Sequence, residues 1–477
     1  VFNTDSAGIS GGAIYAGSSH ITFADCNFSS NYASLGCSAV AFQSGSTGTI
    51  TGGSFQSHQT AGSGGAICID GGSSPEFSSV EFTDNEALGG QGGAVHIVNN
   101  SSPIFNNVSF TNNQAVGTES EDGGGAIFIN TNSEPEFIDV LFSNNTAHYN
   151  GGAVLSFTST PIFVNTQFSA NNAGFWGGAM ANMNGSSPTL ENVIFEENTA
   201  ASFGGGMINV NGSSPDLNEI QFIENTAVAG GGMVNYGSCS PQMSNVFFIG
   251  NTGQEGGGGM YNLDNSHPEI VNTVFAENTA TEINLGNGAG IYNENSSPYI
   301  LNTTFSKNQA TGGNSAGGGM ANYGTSAPII FNTIFWDNLA AAGNEIFNYN
   351  SASASLHFSL YANDTGDIIQ GAGFTCSDCL NENPLFSNPG NNHFQLMENS
   401  PAINAGDPNT ALMPFPTNGN GDYIDVLGNP RVFDNIIDIG AYEWNDNLSI
   451  ADSNNQFPSV ALYPNPVTDV LYIQSEK

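Results

Sequence analysis

The chain has 477 residues, 61 of them glycine and only 9% charged, and its 42 acidic side chains face three basic ones, Lys307, Arg431 and Lys477. A formal charge of -39 with so few cations excludes nucleic acid and anionic membrane surfaces as partners, because almost nothing is present to neutralise phosphate. No run of about 18 apolar residues occurs, so the sequence predicts no membrane-spanning helix and no membrane insertion.

Val1 is not a start methionine, no leader precedes it, and a repeat is already under way by Gly11, which reads as a processed or partial piece of a longer protein. The beat of that repeat is F-x-x-N. It runs from Phe28 to Phe335 with a step of about 28 residues, and asparagine follows each phenylalanine three places on, except where His58 stands. Each unit holds three short apolar stretches, such as GGAI at 64–67, the position two past a recurrent proline, and pairs spaced by two such as Val193 and Phe195. Spacing by two places both side chains on one face of a strand, and no spacing of three and four persists to support a helix.

Short strands that return at this period bury a face only by stacking coil on coil. The predicted fold is therefore all-β: a right-handed, three-sided parallel β-helix with about 28 residues per coil, about 13 to 15 coils and a length of roughly 65 to 70 Å. Phenylalanine is the inward filler. Asn85, Asn113, Asn198, Asn225, Asn278, Asn308 and Asn338 are expected to stack at a turn, take a left-handed backbone and bond coil to coil as an amide ladder. A second asparagine column includes Asn165, Asn192, Asn245, Asn272, Asn302 and Asn332. Proline fixes a corner where no ladder donor is needed, and glycine pairs serve a tight third corner. The longer repeats carry their extra residues before the glycines, as in VGTESEDGGGA, and predict loops on one edge. Cys26, Cys37, Cys68 and Cys239 sit at different phases and are expected to be single buried thiols.

Functional groups have to be sought in departures from this pattern. Glu119, Glu121 and Asp122, with Glu134 and Glu136 nearby, read either as a cation site or as a solvated loop. The seven histidines, His20, His58, His96, His148, His267, His357 and His393, share no phase and form no H-x-H or H-E-x-x-H group. The sequence shows neither the paired carboxylates of a glycosidase nor the basic residue of a lyase beyond Lys307, so no catalytic residue is assigned.

The chain divides into repetitive coils over 1–344, final irregular coils and a cap over 345–446, a linker over 447–458 and a distinct segment over 459–477. Cys376 and Cys379, in CSDC, are spaced for a small disulfide in an oxidising compartment or, less simply, half a metal site. In NGNGDYID, Asn418, Asn420 and Asp422 alternate as at the start of a calcium loop, with Asp425 as a further ligand, but position twelve is asparagine; a plain turn is the other reading. Arg431 is expected to hold the cap as a structural guanidinium.

The pairing of G-G-(A/I/M) with F-x-x-N over about residues 11 to 338 resembles the repeats of polymorphic outer-membrane proteins, a family of bacterial β-helical surface adhesins. No barrel like that family's is present, so its autotransport route is not carried over. SPAINAGD and DIGAYEW resemble the closing coils of bacterial surface β-helices, and imply a lid over the open end. VALYPNPVTDVLYI at 460–473 resembles the opening of the C-terminal sorting domain of type IX-secreted proteins and covers only its first strands; one more edge strand capping the helix is the other reading. Together these resemblances imply a secreted or outer-surface protein of a Gram-negative bacterium that meets the type IX secretion machinery. The expected role is a non-catalytic adhesin or a segment of a surface appendage, with a surface glycan, a protein or copies of itself as partner. A polysaccharide lyase or glycoside hydrolase on the same scaffold is the alternative.

Overall fold

A computed structural model describes residues 1–281, 287–362, 369–389, 393–409, 415–433 and 436–445. One coil shows how the sequence makes the turn. Gly177 takes a left-handed backbone (φ +67), and a β-carbon on Gly178 would overlap the carbonyl oxygen of Gly205 in the next coil, so each glycine of the pair has its own cause. The strand Met180–Met183 follows, then a left-handed turn at Asn184 and Gly185, the corner at Pro188, the strand Thr189–Glu196 and the short strand Thr199–Ala200. Asn192 (φ 52) bends the long strand at its middle.

Equivalent strands pair in parallel from coil to coil, as in Met180↔Met207, Phe195↔Phe222 and Thr199↔Thr226. Among the described residues this builds three walls: a bent wall of 21 strands, a short wall of 12 and a third wall of 14. The chain is a right-handed parallel β-solenoid of about 13 turns. Regular pairing continues through Phe374–Ser377, beyond the expected boundary at 344.

Inside, the phenylalanines predicted from the repeat stack in a file, with ring centroids 4.5 Å apart at Phe305–Phe335 and 5.0 Å at Phe55–Phe82. Beside them the asparagine ladder is unbroken from Asn85 to Asn338. Asn198 is typical: its backbone N–H and Nδ2 both donate to Asn225 Oδ1 (3.0 and 2.9 Å), and Nδ2 also donates to Phe168 O at 3.0 Å. Asn198 is fully buried. The expected left-handed backbone, however, falls one residue earlier, at Asp84, Asn112, Glu197, Glu224 and Glu277, because the asparagine itself must point inward. In the second column Asn165, Asn192, Asn245, Asn272, Asn302 and Asn332 do take it, each at the bend of the long wall.

The ladder ends on a carboxylate. Asn338 Nδ2 donates to Glu345, which is 1% exposed. A third column was not anticipated: Asn182, Asn209, Asn235, Asn262, Asn293, Asn322 and Asn348 form a second buried ladder on the third wall, with Nδ2 to Oδ1 distances of 2.8 to 3.0 Å.

His58 interrupts the first ladder. It is fully buried, its Nδ1 accepts from the backbone of Asn31 at 3.0 Å, and its Nε2 has no partner. Burial lowers its pKa to about 4 against the hydrogen bonds that oppose it. Folding of these coils therefore favours the neutral ring: its stability is intact above pH 6.5 and is lost as pH falls from 6.5 toward 4. His58→Asn is expected to restore the amide pattern, raise the stability of the N-terminal coils by about 1 to 3 kcal/mol and remove this acid sensitivity, as read from denaturation curves at pH 7 and pH 5.

Two expectations are corrected. Cys37 and Cys68 are not single thiols; they are bonded, with their Cα atoms 5.0 Å apart. Cys37 lies in a corner and Cys68 on the adjacent coil's strand Ile67–Ile69, so different repeat phases meet diagonally across the coil step. Cys239 is a free buried thiol, Cys26 is free and half-buried, and Cys376 is bonded to Cys379.

The described residues of the C-terminal part do not form a lid over the open end. They fold back as a strap along the outer face of the bent wall, where Asn272 Nδ2 donates to Ile424 O (2.7 Å), Asp407 N to Asn332 Oδ1 (2.8 Å) and Ala441 N to Thr304 Oγ1 (3.1 Å). Val271 and Leu301 lie beneath it against Phe415 and Ile437. The reason is in the wall: its outward positions become apolar here, with Val274, Ala276, Ile334 and Leu360 also covered. Lys307 adds a tether by donating to Pro389 O, with Glu277 at 3.5 Å. The terminal strand Phe374–Ser377 pairs with Ala354–His357, and no described strand covers its other edge. The linker 447–458 and the segment 459–477 lie outside the described residues.

Candidate functional site

Of the sequence-predicted calcium residues, Asn418 and Asp422 meet through Asn418 Nδ2, which donates to Asp422 Oδ2 at 3.2 Å, while Asp425 is engaged by other donors. Asn418 Oδ1 accepts from the backbone of Asn420 (2.9 Å) and Asp422 (3.0 Å), which closes an exposed turn. Asp425 is fully buried, and its carboxylate accepts from Leu427 N, Asn429 N, Asn429 Nδ2 and Glu443 N at 2.8 to 3.3 Å. A cation would have to displace those donors to reach it. Among the described residues no three His, Cys, Asp or Glu side chains are grouped to hold a metal ion. Asp122 is buried at a glycine corner, accepting from Glu119 N at 2.9 Å, while Glu134 and Glu136 lie beyond the other end of the strand Ile127–Ile129.

The densest group of ionisable side chains lies within the strap. Arg431, fully buried, donates through Nη2 to Asp438 O (3.0 Å) and Gly440 O (2.6 Å), and its Nε lies 3.9 Å from Glu443 Oε2. The side-chain oxygen of Asn302 faces the guanidinium from the wall. Glu443 accepts from Phe433 N and Asp438 N, and Asp438 from Asn404 N and Trp444 N. This agrees with a structural role for Arg431. Substrate has no access, since Asp425, Asp438 and Glu443 are 0 to 3% exposed.

Burial raises Glu443 to about 8 and Asp438 to about 6, with Arg431 opposing. A carboxyl with a raised folded-state pKa stabilises the docked strap below its unfolded value and loses that contribution as pH climbs to the folded value. Docking is therefore expected to weaken from about pH 4 to pH 8, seen as faster amide exchange over 415–433 and 436–445 at the higher pH after correction for the intrinsic rate.

Two outer faces remain open. On the bent wall the half-buried Glu191 accepts from Asn218 Nδ2 at 2.8 and 3.0 Å, and its pKa is raised by burial, with Glu219 and Asp216 adding to the effect. The third wall carries rings. Its strands alternate, so that Met260 and Asn262 point inward while Tyr261 and Leu263 point out. Outward rings recur in neighbouring coils: Tyr261 and Tyr292 stack at 4.9 Å and Tyr323 and Tyr349 at 5.4 Å, while Trp176, at a glycine corner two coils earlier, meets Tyr236 edge-on at 6.4 Å. Tyr261 Oη donates to Glu294 Oε2 at 2.5 Å. Sequence reasoning missed this ridge; the signal was an aromatic at the second or fourth place after G-G-G or G-A-G, in MVNY, MYNL, IYNE and MANY.

A family model described as right handed beta helix region matches residues 66–252. No curated protein matches the chain at a significant level.

Proposed function

We propose that the chain is a non-catalytic recognition rod displayed outside the cell, acting as an adhesin or as a segment of a surface appendage. The observation that carries this reading is the outer surface itself: a long, regular array of outward polar and aromatic side chains held by buried ladders that leave it little freedom to rearrange. The disulfide between Cys37 and Cys68 supports an oxidising, extracytoplasmic location. The likeness of residues 460–473 to a sorting domain supports export by the type IX route and a Gram-negative outer surface.

Antibody labelling of intact cells, followed by electron microscopy of the released material, tests the reading. Labelled cells with isolated rods fit an adhesin, and ordered multi-copy fibres fit an appendage; protein confined to the cytoplasm would refute both. One observation favours a polysaccharide-active enzyme instead, namely the raised carboxyl of Glu191 on an open wall. Incubation with a polysaccharide panel is expected to release neither reducing ends nor unsaturated sugars. Turnover that disappears in Glu191→Gln would establish the enzyme and end the non-catalytic reading.

A further inference from the structure

The third wall does not need aromatic side chains on its outside. At the same outward position the scaffold accepts Ala41, Ala181 and Ala321, in register with Tyr15, Leu155 and Tyr292 of neighbouring coils. Yet toward the C-terminal end every coil from Tyr236 to Tyr349 carries at least one outward ring, Tyr261 being buried at 8% exposure, and those rings follow the solenoid axis at the coil step, over about 19 Å at the strand spacing of a sheet.

They are also presented. Tyr349 is 50% exposed, and Tyr236, Tyr292 and Tyr323 are half-buried, so their rings are fixed at one side and open at the other. Fixed rings offer a large contact area at little cost in side-chain entropy, and the phenol adds a polar handle.

The surrounding charge selects among ligands. Glu294 lies in the ridge beside Tyr323, and Asp264 follows the neighbouring strand. Of the two described cations, Lys307 is engaged with Glu277 and Pro389 on the bent wall, and Arg431 is buried. The net charge of -39 repels uronate, sulfate and phosphate polymers, while carboxylates accept hydrogen bonds from neutral hydroxyls.

We propose that the outward face of the third wall from Tyr236 to Tyr349 is a binding track for an uncharged polysaccharide chain lying parallel to the solenoid axis, with sugars packed against the open ring edges of Tyr236, Tyr292, Tyr323 and Tyr349 and their hydroxyls bonded to the phenols and to Glu294. The proposal rests on the recognition-rod reading and gives that reading a site and a ligand class.

Affinity electrophoresis of the full chain tests it, in gels containing β-glucan, xylan or mannan as uncharged probes and pectate or alginate as anionic ones. Retardation is expected with at least one uncharged polymer and with neither anionic one. The double variant Tyr323→Ala, Tyr349→Ala should bind at least about tenfold more weakly with an unchanged circular dichroism spectrum, since alanine is already accepted at the adjacent outward position Ala321. Equal binding by the variant, equal retardation by pectate, or no retardation by any uncharged polymer would each overturn the track. Surface labelling of intact cells is scored separately, so labelled cells without retardation would overturn the track and leave the recognition-rod reading standing.

Discussion

Asn198→Ala is expected to open the middle of the solenoid, at a cost of about 4 kcal/mol in local stability. The side chain is fully buried and belongs to three coils at once. Its Oδ1 accepts from the backbone N–H of Asn171 at 2.9 Å and from Asn171 Nδ2 at 3.0 Å, and its own Nδ2 serves Phe168 O. Alanine removes the partner of the Asn171 backbone N–H, of one Asn171 Nδ2–H and of the Phe168 carbonyl, all buried, at about 1 to 3 kcal/mol each. Because a solenoid is held by nearest-neighbour contacts, the damage should stay local. Hydrogen exchange is expected to show lost protection in the coils around 171–225, with the coils near Phe305 unchanged; uniform loss along the chain would contradict this account.

Arg431→Met is expected to release the strap while leaving the coils intact. The substitution keeps much of the apolar volume and removes the positive charge that faces Glu443, Asp438 and Asp425. At neutral pH, where Glu443 is largely protonated and Asp438 largely ionised, removing the cation strands the buried Asp438 charge at a cost of about 3 to 5 kcal/mol. The carbonyls of Asp438 and Gly440 lose their donor as well. Limited proteolysis should cut within 415–445 in the variant, and far-ultraviolet circular dichroism should retain the sheet signal. A strap as resistant as the native one would show that wall contacts such as Val271 to Phe415 suffice without the guanidinium.

The coils were legible in the sequence because a solenoid repeats its physics: the phenylalanine file and the first asparagine ladder recur at one phase, and each column has one cause. The third-wall ladder was harder to see. Its inward position holds Ile69, Ile97 and Ile129 in early coils and becomes asparagine only from Asn182, so it presents first as an apolar site and then as a violation of alternation. Pairing of Cys37 with Cys68 was hidden for a related reason, since periodicity compares like phases and the bond joins unlike ones. Strap docking left a signal that was not used: Val271, Val274, Leu301 and Ile334 make outward positions apolar, and a wall of that kind requires a cover. Arg431, by contrast, was legible as structural because a lone guanidinium in so anionic a chain has carboxylates to meet.

The termination of the first ladder on Glu345 gives the rod an electrical direction. Backbone bonds between coils run both ways, as Gln167 N to Val140 O and Asp139 N to Val164 O show. The side-chain amides do not alternate: every step from Asn85 to Asn338 donates toward the C-terminal end, and the second ladder from Asn182 to Asn348 does the same. Aligned amide dipoles add as they do along an α-helix, which leaves the partial positive pole of each file at its final donor. At that pole of the first file stands a buried carboxylate, the analogue in a β-solenoid of an acidic residue at a helix N-terminus. The two ends of the first file are therefore electrostatically distinct, and the positive one is met inside the solenoid by Glu345.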